Sequence, residues 1–153
     1  MGHHRRVPPA APSEPTEICP GCGAVLVPLT DGGPAHPGAS ASCSRLFEVT
    51  LRGLREEVST ERATARTVRL ADAAYDAQHP ADGDLPGLDA ALTRLAACLR
   101  VDPVSPGAGR PEAWRTTIAD VAADLDVVDL TVLVESWARA VQEDWSGVPA
   151  ARR

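Results

Sequence analysis

Leu88, Leu92, Leu95 and Leu99 recur every three to four residues, the spacing that gathers side chains on one face of an α-helix. The same period returns in Phe47, Leu51, Leu54 and Val58, in Val68, Ala71 and Tyr75 (a face that His79 extends by one turn), and in Leu130, Leu133, Trp137, Val141 and Trp145. A chain with four such stripes must bury them against one another. The material for that core is Leu, Val and Ala, because aromatic residues make up only 3% of the sequence. Such a composition favours close-packed helices over a sheet built from aromatic and β-branched residues. The expected fold is therefore mainly α, a bundle of about four main helices.

The punctuation agrees with the stripes. Ser40 or Ser42 is placed to cap the first helix. The second is expected from about Thr60 to Gln78, with Pro80 stopping it. Asp84 precedes the third, with Pro86 in its first turn. Thr117 and Asp120 form a capping arrangement for a short helix through about Asp124, and the last helix starts near Asp129. Residues 1–17, rich in Pro and Ala, and 147–153 read as disordered tails, leaving 18–146 as a single domain. From Ile18 to Ser42 the chain is dense in Gly and Pro, and only Ala24 to Leu29 suits a short strand. This is a loop-dominated, zinc-knuckle-like module at the N-terminal end of the bundle.

That module holds the strongest chemical signal, Cys19-Pro20-Gly21-Cys22-Gly23. Two cysteines three apart can turn both sulfurs toward one ion. A glycine after the second lets the backbone turn so that amide N–H groups face the thiolates. A tetrahedral zinc site needs four ligands, and the pair supplies two. Cys43, at the start of the first helix, is the natural third, because a helix N-terminus favours the thiolate. His79, at the end of the second helix on its inward face, is the first choice for the fourth. His36, in the Gly/Pro loop, is its rival, and Cys98 a weaker candidate beside Leu95 and Leu99.

Other readings of these residues are blander. A CxxC pair is a redox couple in some proteins, yet those pairs usually sit at a strand-to-helix junction of an α/β fold. Cys98 reads as a small core residue and His79, taken alone, as a helix-end cap. Tyr75 reads as core with its hydroxyl at a polar edge, Trp137 and Trp145 as core, and Trp114 as a loop anchor. The run Arg52, Arg55, Glu56, Glu57, Glu61, Arg62 is a solvated helix face.

Exclusions narrow the function. All fifteen basic residues are Arg, so no Schiff-base lysine and no P-loop lysine exists. The net charge of −6 argues against a nucleic-acid partner. No apolar run is long enough for a membrane span, and no apolar segment follows the N-terminal arginines as a secretory signal would require. A reducing, cytoplasmic location is expected, in which cysteines serve as thiols or metal ligands. The HExxH, GxSxG, Walker and GxGxxG patterns are missing.

CPGCG at 19–23, Gly38-Ala39-Ser40 with Cys43 opening a helix, Tyr75-Asp76-Ala77-Gln78-His79-Pro80, Trp137-Ala138-Arg139 and Asp144-Trp145-Ser146 together resemble a family of small bacterial proteins of unknown function, common in actinobacteria. The likeness covers about residues 18–146. It implies no activity, but it raises His79, since Gln-His-Pro is among the family's most recognisable elements. Relatives tend to carry a His where this chain has Val68, an Asp in place of Ala73, a further His in place of Ala91 or Leu92, and a His pair in place of Gly147-Val148. Any second metal centre those residues build in relatives is largely absent here, which lowers the case for catalysis.

The expected function is that of a small zinc-binding helical protein of unknown cellular role, a binding or regulatory module with a structural zinc whose partner is a protein or a small molecule. Two alternatives remain: a metal-dependent enzyme of specialised metabolism with an open zinc position and Tyr75 or Gln78 facing the metal, or a thiol redox sensor.

Overall fold

A computed structural model of the chain describes residues 15–29, 36–58, 60–107 and 109–149. The chain is mainly helical. Among the described residues it has a two-stranded hairpin, β1 (Glu17–Ile18) and β2 (Val25–Leu26), followed by α1 (Ala41–Glu57), α2 (Arg62–Gln78), α3 (Leu85–Leu99), α4 (Ile118–Ala123) and α5 (Leu130–Ser146). None of these helices is long and apolar enough to cross a membrane.

Each of four helices begins where a side chain satisfies a free amide. Ser40 accepts from the Cys43 N–H, Asp84 from the Gly87 N–H and Asp129 from the Thr131 N–H. Thr117 and Asp120 form a full capping box at α4; the short carboxylate reaches the Thr117 N–H at 2.8 Å without the length of a Glu. At the other end of α3, Arg100 closes the helix in the left-handed conformation (φ 57°).

The expected stripes are the buried faces. Leu88, Leu92, Leu95 and Leu99 are buried, as are Val68, Ala71, Tyr75 and His79 along α2 and Trp137, Val141 and Trp145 on α5. Val58 is exposed, because α1 ends at Glu57 and leaves Val58 outside the bundle. The second helix is the hub and packs against α1, α3 and α5. Its Ala71, Ala73, Ala74 and Ala77 are all buried, and such small side chains let several helices approach one axis. Surface ion pairs cross the same seams, with Arg55 on Asp72, Arg66 on Glu135 and Arg94 on Asp76; each is worth at most about 1 kcal/mol.

The N-terminal module is more ordered than a loop. Glu17, assigned from sequence to a tail, pairs with Leu26, and Ile18 pairs with Val25. The strand expected over Ala24–Leu29 is cut to Val25–Leu26, consistent with Pro28 having no N–H to give a ladder. At the other end Val148 packs against the core, although 147–153 read as a tail. The remainder of both expected tails, residues 1–14 and 150–153, lies outside the described residues.

Candidate metal centre

Three separate segments meet at one buried point. The turn between β1 and β2 carries Cys19 and Cys22, the first turn of α1 carries Cys43, and His79 caps the C-terminus of α2. Their ligand atoms all lie within 4.8 Å of one another, and all four residues are buried. The Sγ atoms of Cys22 and Cys43 are 3.8 Å apart, and Cys43 Sγ is 3.5 Å from His79 Nε2. This is a group that could hold a metal ion.

The local structure around each donor follows from the sequence. The Cys19 N–H donates to the Ala24 carbonyl and the Gly23 N–H to the Cys19 carbonyl, folding CPGCG into a tight turn. That turn needs Gly23 at φ 76°, a conformation other residues rarely adopt. The turn aims backbone N–H groups of Cys22 and Ala24 at the sulfurs of Cys19 and Cys22, and the Ser40 N–H lies 3.5 Å from Cys19 Sγ. The imidazole of His79 is oriented from its far side. Its Nδ1 lies 2.7 Å from the Tyr75 carbonyl, which can only accept, so Nδ1 carries the proton and Nε2 presents a lone pair to the sulfurs.

Three sulfurs this close share charge. Hydrogen bonds from the Cys22 and Cys43 thiols hold Cys19 far below the usual thiol range. The reciprocal effect of donating to Cys19 pushes Cys22 up to about 11, and donation to Cys19 and Cys22 raises Cys43 further, with burial adding to both. The three thiols therefore titrate as one coupled group, with charge favoured on Cys19 over Cys22 and Cys43.

The two rivals for the fourth position lie elsewhere. The Gly38 N–H donates to His36 Nδ1 at 3.2 Å, leaving Nε2 protonated and bonded to Asp76 Oδ1 at 3.0 Å. Both ring nitrogens of His36 are thus engaged, and its ring meets those of Tyr75 and His79 edge-on. Cys98 is partly buried on α3 and packs against the core, outside the cluster. Gln78 does not face the site either: its amide N–H donates to the Thr116 carbonyl at 2.7 Å and its oxygen accepts from Trp137 Nε1 at 3.0 Å.

Two contacts go beyond the sequence reading. The Tyr75 hydroxyl, expected at a polar edge or, in the enzyme alternative, facing the metal, is buried and lies 3.3 Å from Cys43 Sγ. Trp114, expected as a loop anchor, anchors the cysteine turn itself, its Nε1–H donating to the Gly21 carbonyl at 2.9 Å. These pairs are 32 and 93 residues apart, so no local pattern signals them. Trp114→Phe should keep the ring packed on Trp145 while orphaning that carbonyl, and should lower unfolding free energy by about 1–2 kcal/mol in a denaturant titration. An unchanged midpoint and slope would mean that the bond anchors nothing.

Residues 17–104, more than half of the chain, match the model of a family of unknown function, DUF5946. The matched stretch contains all four residues of the cluster and runs from β1 past the end of α3. No curated protein and no solved structure matches the chain.

Proposed function

The chain belongs to the DUF5946 family, and we propose that Cys19, Cys22, Cys43 and His79 bind one zinc ion with a structural role. The observation that carries this reading is the spacing of the donors. A tetrahedral zinc with Zn–S bonds of about 2.3 Å and a Zn–N bond of about 2.0 Å requires S···S edges of about 3.8 Å and S···N edges of about 3.5 Å. The Cys22–Cys43 and Cys43–His79 separations are 3.8 and 3.5 Å. Three thiolates and an imidazole are also the donor set that zinc prefers over harder cations.

Burial of all four donors supports a closed, structural site over an open catalytic one, which would leave a coordination position for water or substrate. Zinc in this position ties the N-terminal hairpin to α1 and to the end of α2. The resulting protein is a binding or regulatory module for a protein or small-molecule partner in the cytoplasm, where a reducing environment keeps the thiolates available to the metal.

The test is metal content by mass spectrometry on chain purified without a metal-affinity column. One zinc per chain is expected; protein that folds without metal and takes up none on zinc addition would overturn the reading. Binding should also depend steeply on pH. Hydrogen bonding to Cys19 and burial raise the Cys22 and Cys43 thiols, so a dication must displace protons to bind them. Zinc affinity should therefore rise with pH and fall as the thiols win protons back on acidification. A competition titration with a chromophoric chelator at three pH values measures that slope.

A further inference from the structure

Tyr75 touches two of the four donors at once, through different atoms. Its carbonyl accepts from His79 Nδ1 at 2.7 Å, and its hydroxyl donates to Cys43 Sγ at 3.3 Å. We propose that Tyr75 is a positioning residue of the metal centre, whose hydroxyl fixes Cys43 and withdraws charge from its thiolate. The inference rests on the zinc reading above.

The charge balance shows why such a donor is needed. Three thiolates around a dication leave one net negative charge inside a buried site, and buried charge is costly unless it is hydrogen-bonded. Among the described residues, no Arg side chain makes a hydrogen bond or ion pair to Cys19, Cys22 or Cys43. The compensation comes from neutral donors, and they are unevenly shared. The cysteine turn and Ser40 bring backbone N–H groups to Cys19 and Cys22. Cys43 sits in the first turn of a helix, where its own N–H is committed to the Ser40 hydroxyl at 3.1 Å. From outside the ligand set, the Tyr75 hydroxyl is the polar hydrogen directed at its sulfur.

The ring is held so that the hydroxyl has little choice. It stacks on Phe47 at 4.0 Å and 6° between planes, and the His36 ring packs edge-on at 5.1 Å. Tyr75 is 2% exposed, which shuts water out as an alternative partner. The remaining acceptor, Ser44 Oγ, lies farther away at 3.5 Å.

The experiment compares the full chain with Tyr75→Phe, which keeps the stacked ring and removes only the hydroxyl. Both are loaded with cobalt(II) in place of zinc, and zinc affinity is measured in parallel. The wild type should show thiolate-to-cobalt charge-transfer absorption. In Tyr75→Phe that band should move to longer wavelength, because a thiolate without its donor gives up an electron more readily, and zinc should bind on the order of 10-fold more weakly. An unmoved band with unchanged affinity would overturn this inference and leave the zinc reading standing; a wild type without the charge-transfer band would overturn both. Should Tyr75→Phe not fold, the wild type loaded with cadmium-113 answers the same question by NMR. A slowly exchanging Tyr75 hydroxyl proton coupled to the metal through Cys43 is expected, and a freely exchanging, uncoupled one would overturn the proposal.

Discussion

His79→Ala should weaken zinc binding by at least about 100-fold and leave the metal-free variant less stable than the wild type. Structural zinc sites contribute roughly 10–16 kcal/mol of binding free energy, so one ligand of four accounts for about 3 kcal/mol, a factor above 100 in affinity. A structural cost adds to that loss. His79 is 1% exposed, and its Nδ1–H satisfies the Tyr75 carbonyl. Truncation leaves a buried gap beneath the cysteine turn and a carbonyl without that donor, worth about 2–4 kcal/mol together. Metal stoichiometry and a denaturant titration, each with and without zinc, separate the two parts. Full zinc affinity in His79→Ala would remove His79 from the ligand set and turn attention to His36, whose ring lies 5.7 Å from that of His79.

Gly38→Ala should destabilise the fold by about 3 kcal/mol or more and loosen the metal site with it. A Cβ at Gly38 would stand 2.0 Å from the His79 carbonyl oxygen, 2.5 Å from its carbon and 2.9 Å from the Pro80 oxygen. All three are backbone atoms at the end of α2, and none can swing aside as a flexible side chain would. Gly21 is pressed against the same place, where a Cβ would meet His79 Cδ2 at 2.5 Å and the Gly38 oxygen at 2.6 Å. The two glycines let the cysteine turn and the approach to α1 close over His79. Gly53 is the control: it lies on α1, where an added methyl would meet nothing within 4 Å. Its replacement by Ala should stabilise the fold by up to about 1 kcal/mol, from helix propensity. Opposite signs at Gly38 and Gly53 in the same unfolding assay would locate the constraint at the turn; equal effects would mean that the close approach at Gly38 relaxes freely.

The helices were legible because their signals are local. A stripe such as Leu88, Leu92, Leu95 and Leu99, with Asp84 before it and Pro86 in the first turn, states its period, its start and its buried face within a single helix. The capping pair of Thr117 and Asp120 is equally self-contained. The hairpin was less legible: two-residue strands show no alternation, and Glu17 takes part because the CPGCG turn returns the chain beside it. At the centre, Cys19, Cys22 and Cys43 could be proposed from spacing and helix position, whereas His79 could be ranked first from its inward helix face but His36 stayed open as its rival.

Residue order thus carried the helical class, the caps, the cysteine turn and the exclusion of lysine chemistry, since each depends on composition or on neighbours in the chain. Long-range packing settled the rest. It tied both nitrogens of His36 to Gly38 and Asp76, turned Gln78 toward Trp137 and Thr116, laid Trp114 on Gly21 and brought the Tyr75 hydroxyl to Cys43. Those contacts join segments up to 93 residues apart, and their geometry is set by how helices with small buried faces pack around α2. Periodicity can say which face of a helix turns inward, but not which atom waits there, because that depends on the neighbour's height and rotation.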